Sequence, residues 1–128
     1  MSLFNIFGNE DASASQKDGI QWNEMTKMSQ LEEIATLSFD KPVFIFKHST
    51  RCGISRMVLK RFEKEYNSDT KITAFFLDLL AYREVSNAVS QRFNVIHQSP
   101  QLLMIRDGVA IYVASHDGID AATLEGKL

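Results

Sequence analysis

The sequence predicts a single α/β domain with a mixed central sheet and helices on both faces of that sheet. Strand-like apolar runs alternate with amphipathic helical patterns, as they do in βαβ units. An Asp107-Gly108 pair near the end of the chain indicates a hairpin, which adds an antiparallel pair of strands. The chain has 128 residues, of which 45% are hydrophobic, and this suits one compact domain with an ordinary core.

Residues 1–19 are expected to form a tail and linker, and residues 20–128 the domain. Residues 8–19 are polar, rich in small side chains and aperiodic, as linkers are. The first predicted element, Ile20 to Met25, is an edge strand anchored by Trp22. Ser29 and Glu32 then have the spacing of a capping box, which predicts a helix that ends before Pro42.

The middle of the chain predicts a buried strand followed by a helix. Val43 to Phe46 is a continuous β-branched and aromatic run, typical of a strand covered on both faces. A helix pattern begins near Cys52. Its apolar stripe is predicted to contain residues four apart in sequence, namely Ile54, Val58, Phe62 and Tyr66.

The second half continues the alternation and gives the order β-α-β-α-β-α-β-β-α, in which the βαβ units imply parallel pairs. Asp78, at the end of a strand, is expected to cap a helix, and Asp120 is expected to cap the last one. The predicted elements are a strand at 74–77, a helix with Val85, Ala88, Val89 and Phe93 inward, strands at 101–105 and 109–113, and a final helix containing Leu124.

Composition excludes several classes of function. The net charge of −2 gives no electrostatic footprint for nucleic acid. The apolar residues at positions 3–7 are too short and too broken for a signal peptide or a membrane span. A single cysteine excludes an internal disulfide and a multi-cysteine zinc site, and His97 and His116 match no metal spacing. An unpaired thiol favours a reducing compartment, which we take to be the cytoplasm.

Cys52 is the residue most indicative of chemistry. It follows the predicted buried strand and opens the next helix, where backbone N–H groups and the helix dipole stabilise a thiolate. Redox proteins with two cysteines place the second one three residues later, but here that position is Ser55. The chain can therefore attack a disulfide, and it has no internal thiol to complete the exchange.

This arrangement resembles the thioredoxin fold, in which a proline, usually cis, precedes a later strand and faces the active cysteine. Pro100 matches that proline, because Ser99-Pro100-Gln101 immediately precedes the strand at 101–105. A longer ordered series, which includes Phe46-Lys47-His48-Ser49-Thr50, Ser86-Asn87 and Ser115-His116, is similar to the monothiol bacilliredoxin family of general-stress proteins. One departure is Gly53, where many members are expected to have proline.

The resemblance implies an enzyme that removes a low-molecular-weight thiol of the bacillithiol type from mixed disulfides on S-thiolated client proteins. Cys52 would be the nucleophile, with no bound cofactor or metal, and a second thiol or a separate reductase would reset it. Ser55 is expected to hydrogen-bond the Cys52 thiolate, and Pro100 to position the exchange. The residues expected to line the substrate are Arg51, Gly53, Ile54 and Ser99, with Arg51 and Arg56 able to hold a carboxylate of the small thiol.

Two other functions stay open at the level of sequence. Cys52-Gly53-Ile54-Ser55 resembles the active site of iron–sulfur-binding monothiol glutaredoxins, although the Gly-Gly-Asp pattern that those proteins use for glutathione is missing after the hairpin. A redox-sensitive adaptor without catalysis is the third class. His48 is expected to be a partly exposed loop residue in all three cases.

Overall fold

The computed structural model describes residues 20–66 and 73–128, so the predicted tail and linker at 1–19 lie outside the described residues. The described chain folds in the predicted order of elements. We number them β1 Trp22–Glu24, α1 Gln30–Leu37, β2 Val43–His48, α2 Gly53–Glu65, β3 Thr73–Asp78, α3 Arg83–Arg92, β4 Gln101–Arg106, β5 Val109–Ser115 and α4 Ala121–Glu125, with a short 3₁₀ turn at His116–Gly118 before α4.

The five strands form one mixed sheet in the order β1-β3-β2-β4-β5. Strands β1, β2 and β3 are parallel, as the βαβ pattern predicts. The expectation of a parallel pair does not extend to β4, which runs antiparallel to β2. As a result, the amino end of β4 and the carboxyl end of β2 lie side by side at the same end of the strands. Strand β1 is at the sheet edge, as predicted.

The core lies on both faces of β2, which explains why Val43 to Phe46 has no polar residue. Val43 and Ile45 pack on one face, against α1 and α3. Phe44 and Phe46 pack on the other face, where α2 contributes Val58 and Phe62. Burial of such side chains contributes roughly 1.5–3 kcal/mol each, so β2 and the position of its carboxyl end are strongly fixed.

The amino end of α1 differs from the prediction. Ser29 has helical backbone angles and its side chain makes no capping hydrogen bond. Gln30 holds the turn before the helix, because its Oε1 accepts from the N–H groups of Thr26 and Lys27, and its Nε2 donates to the Glu24 carbonyl. The helix begins directly after Ser29, as predicted, but the capping-box hydrogen bond is not formed.

The other predicted caps and turns have mixed outcomes. Asp107 and Gly108 both have positive φ, as the two-residue hairpin turn requires. Asp120 caps α4 by accepting from the Thr123 N–H at 3.1 Å, as predicted. Asp78 does not cap α3; its carboxylate accepts from Leu80 N–H, within the turn that precedes that helix.

Candidate active site

Cys52 is the N-cap residue of α2 and is partly exposed. Its backbone is extended (φ −102°, ψ 119°), and its carbonyl accepts from the Arg56 N–H at 3.1 Å, so the helix begins directly after it. The Cys52 side chain makes no capping hydrogen bond. Cys52 therefore lies at the amino end of α2 as a partly exposed residue whose thiol can be reached from solution.

Ser55 does not make the predicted hydrogen bond to Cys52. Its side chain is fully buried, and its Oγ accepts from the Ser49 N–H at 3.2 Å and lies 2.8 Å from His48 Nδ1. Ser55 Oγ and His48 Nδ1 share this hydrogen bond, and the imidazole tautomer decides which of them donates. Ser55 therefore connects α2 to the end of β2, and the expected contact with the thiolate is replaced by one with histidine.

The environment of His48 differs from the sequence prediction. This histidine is the last residue of β2, is only 4% exposed, and its ring centroid lies 5.2 Å from that of Phe76. Burial lowers the pKa of His48, an effect that Asp78 opposes, Arg56 supports and Glu63 opposes. The imidazole is consequently neutral at pH 7. His48 was predicted to lie in a loop, but it is buried in β2, because the strand continues two residues past its apolar run.

The residues that flank Cys52 divide into two kinds. Arg56 is used by the protein itself, since its Nη1 donates to the Thr50 carbonyl at 2.9 Å and so braces the loop before Cys52. Arg51 is exposed. Ile54 is 59% exposed and does not join the buried stripe of α2, contrary to the periodicity, and Met57 on the same helix face is 64% exposed. An apolar surface is thus available beside the thiol.

Gly53 is the first residue of α2, and it is exposed. A Cβ at this position would approach only the side chain of Arg56, at 3.9 Å. The site therefore has room for a larger residue, and the departure from the proline expected here does not arise from crowding.

Pro100 lies at the end of the sheet where β2 leads into the loop that carries Cys52. The Ser99–Pro100 peptide is cis, as the resemblance implied, and Pro100 is buried. Gln101, the next residue, pairs with Lys47 of β2. Since β2 leads into the Cys52 loop and β4 begins after Pro100, both residues are brought to one end of two neighbouring strands. Ser99 is half-buried beside them.

Lys47 and His97 were missed as a pair by sequence reasoning. Lys47 is fully buried in β2, and its Nζ lies 3.2 Å from His97 Nδ1. A lysine at the end of an apolar strand is normally taken to mark the start of a loop, so the sequence carries no clear signal for this contact. It lies on the side of β2 opposite to His48, because successive strand residues face opposite ways.

Among residues 20–66 and 73–128, no three histidine, cysteine, aspartate or glutamate side chains are grouped in a way that could hold a metal ion. No helix in that part of the chain is both long enough and apolar enough to cross a membrane.

Fold and site together define a thioredoxin-fold thiol oxidoreductase. A solved protein assigned as an oxidoreductase with a thioredoxin fold is similar to this chain at 25% identity, with a TM-score of 0.69, and the match covers 80% of this chain and 89% of the other. Thioredoxin from Malassezia sympodialis has 19% identity, a TM-score of 0.64 and coverage of 84% and 87%. Thioredoxin from Fasciola hepatica has 14% identity, a TM-score of 0.64 and coverage of 82% and 94%. The last two likenesses show the fold alone.

The family model "Monothiol bacilliredoxin BrxC" matches residues 23–124. The chain belongs to this family of monothiol bacilliredoxins. The family and the fold support a thiol redox function, and the resemblance predicted from the ordered motifs is confirmed.

Proposed function

We propose that this protein removes a low-molecular-weight thiol, of the bacillithiol type, from mixed disulfides on client proteins. The observation that carries the proposal is the single thiol at the N-cap of α2 with a serine, bonded elsewhere, at the position of a resolving cysteine. A protein built in this way can accept one sulfur partner and needs an external thiol to release it.

The exchange starts with attack of the Cys52 thiolate on the small-thiol sulfur of the mixed disulfide. The bond between the small thiol and the client breaks, the client leaves as a thiolate, and a new disulfide joins Cys52 to the small thiol. A second thiolate, from solution or from a separate reductase, then attacks this disulfide and regenerates Cys52. Each step exchanges one thiolate for another, so no net oxidant is consumed.

Three features of the structure support these steps. Cys52 is the partly exposed N-cap residue of α2, so a client disulfide and the resetting thiol can both reach its sulfur. Exposed Ile54 and Met57 offer apolar contact to a client segment next to the disulfide. Position 55 is a serine held by His48 and the Ser49 N–H, so it supplies no thiol that could resolve the disulfide between Cys52 and the small thiol.

The test uses a model client whose single cysteine carries either bacillithiol or glutathione. Loss of the small thiol from the client is followed by the intact mass of the client over time, with the same small thiol in excess as reductant and the rate without the protein subtracted. We expect turnover with wild type, faster release from the bacillithiol adduct, and loss of turnover in Cys52→Ser. Full turnover in Cys52→Ser would refute the proposal. Equal rates with both adducts would refute the preference for a bacillithiol-type substrate.

A further inference from the structure

Lys47 is a buried cation that has no acidic partner among residues 20–66 and 73–128. It is fully buried in the central strand β2, and its ammonium contacts the Ser90 hydroxyl at 2.8 Å, the Ser86 carbonyl at 3.3 Å and His97 Nδ1 at 3.2 Å. Burial lowers the pKa of this lysine to about 8. A buried ammonium is retained against a desolvation penalty, so a role beyond core packing is expected for it.

The contacts of Lys47 join two parts of the chain. Ser86 and Ser90 belong to α3, whereas His97 belongs to the 95–100 segment, which leads from α3 to Pro100. The pKa of His97 is lowered, first by burial and then by Lys47 and Arg83. The imidazole is therefore neutral at pH 7, and its Nδ1 lone pair can accept a hydrogen from the ammonium.

Other contacts hold both ends of the 95–100 segment. The His116 N–H donates to the carbonyl of Pro100, which is buried, at 2.9 Å, and Val95 packs against the core. The Val95 N–H donates to the Ser90 carbonyl, and Gln101 Nε2 donates to the Ile96 carbonyl, both at 2.9 Å. Three buried polar atoms around the segment have no hydrogen-bond partner in the described residues: Ser86 Oγ, Ser99 Oγ and Gln101 Oε1. Opening of the segment would let water satisfy these atoms, which lowers the free-energy cost of opening.

The 95–100 segment includes Pro100 and Ile96, and Pro100 lies at the end of the sheet where the active site is. Pro100 precedes β4 at the end of the sheet where β2 leads to Cys52, and Ile96 within the segment is 82% exposed. A displacement of this segment would move the surface that a client must contact while its disulfide reaches Cys52.

We propose that Lys47 and His97 form a tether that positions the 95–100 segment for exchange with protein clients. Both act as positioning residues through Pro100 and Ile96, without touching the reacting sulfurs. The inference rests on the proposed function, because it concerns the same exchange. It predicts a defect in client recognition and leaves the intrinsic reactivity of Cys52 unchanged.

The test compares substitutions at two partners of the same ammonium. His97→Ala cuts the contact to the segment, whereas Ser90→Ala cuts a contact to α3, and His97→Asn restores an acceptor oxygen near the position of Nδ1. We expect KM for the S-thiolated client to rise roughly tenfold in His97→Ala, with kcat within about twofold. Ser90→Ala and His97→Asn should stay within about threefold of wild type in KM.

Two readouts do not depend on client turnover. Amide exchange at Val95, whose N–H is bonded to the Ser90 carbonyl, should accelerate in His97→Ala and return toward wild type in His97→Asn. Alkylation of Cys52 by iodoacetamide, which needs no docking, should keep its wild-type rate in all three variants. A slowed alkylation would show a general disturbance of the site and would overturn the positioning role.

The failures of the two proposals are distinguishable. If Cys52→Ser were as active as wild type, the proposed function would fail whatever the tether does. If wild type turned over clients and His97→Ala matched it in KM and in Val95 exchange, the tether alone would be refuted. A larger KM defect in Ser90→Ala than in His97→Ala would refute it as well.

Discussion

Ser55 Oγ lies 2.8 Å from His48 Nδ1, and this contact joins the first turn of α2 to the carboxyl end of β2. The serine at the position of a second redox cysteine is therefore part of the scaffold beneath Cys52. Both side chains are buried, so the contact is protected from water. The monothiol character of the site follows from the missing second sulfur and does not require a hydrogen bond from Ser55 to Cys52.

Ser55→Ala should destabilise the protein more than it impairs exchange. The change leaves His48 Nδ1 and the Ser49 N–H without their partner in a buried place, which costs about 1–3 kcal/mol of unfolding free energy. Client release should remain within a few-fold of wild type, since Ser55 does not contact the thiol. Urea unfolding and the client assay measure the two effects.

Ser29→Ala is the matched control, because Ser29 is exposed and its hydroxyl makes no capping bond. We expect a change in unfolding free energy below about 0.5 kcal/mol for it. Unchanged stability in Ser55→Ala together with lost client release would contradict the scaffold role.

His48 should make stability depend on pH below neutrality. Its pKa is lowered in the folded protein by burial, so the unfolded chain binds the proton more readily. The stability contributed by a neutral His48 is complete above pH 6.5 and falls as the pH drops from there toward the folded pKa, with a slope of at most about 1.4 kcal/mol per pH unit. His97 adds a slope of the same sign.

The check is the unfolding free energy of wild type and His48→Phe at pH 7.5, 6.5 and 5.5. The aromatic ring of phenylalanine suits a site beside Phe76 and cannot titrate. We expect a shallower slope in the variant, and parallel slopes would count against a depressed pKa for His48.

Lys47 should make stability rise with pH on the alkaline side. Its pKa is about 8 in the folded protein and 10.5 in the unfolded chain, so the unfolded chain binds more protons between these values. Unfolding free energy therefore increases from pH 8 to 10.5, by up to about 3 kcal/mol in total. Lys47→Met should lack this rise. Lys41→Met, at an exposed position before the same strand, should retain it. Parallel curves for Lys47→Met and wild type would disprove the assignment.

Gly53→Pro should stabilise the protein by about 0.4–1 kcal/mol, mainly by restricting the unfolded chain. Position 53 is the first of α2, where proline is favoured, and Cys52 already has the extended backbone that a following proline requires. Gly108→Ala is the contrasting change, since φ is +80° there and a Cβ would lie 3.3 Å from the Phe39 ring. Thermal unfolding of both variants checks this, and a lower melting temperature for Gly53→Pro would show that position 53 does not accept the ring.

The fold was predictable because hydrophobic burial dominates it. The apolar run from Val43 to Phe46, with helical patterns before and after it, predicts a central strand covered on both faces. The Asp107-Gly108 turn predicts the hairpin. The alternation of strands and helices did not predict the direction of β4. This strand pairs with β2 on the side away from β3, and the helix that connects β3 to β4 allows either direction there. The start of α1 after Ser29 was predictable, but the capping bond predicted for Ser29 is not formed, and the turn before the helix is held by the Gln30 side chain.

At the site, the sequence located Cys52 at a strand-to-helix junction, and the resemblance to the thioredoxin fold identified Pro100. The sequence missed the burial of Lys47 and His48 because polarity normally signals the end of a strand. Their burial depends on partners distant in sequence: Ser86, Ser90 and His97 for the lysine, and Phe76 for the histidine, joined locally by Ser55. Local patterns carry no information about such partners.

The most direct test of the central claim is the intact mass of the protein after reaction with a bacillithiol-modified client in the absence of any reductant. The account predicts that the small thiol moves to Cys52, so that the protein gains its mass and the client loses it in equal amounts. Cys52→Ser should gain nothing. Accumulation of a covalent complex between Cys52 and the client, or an unmodified protein beside an intact client adduct, would contradict the account.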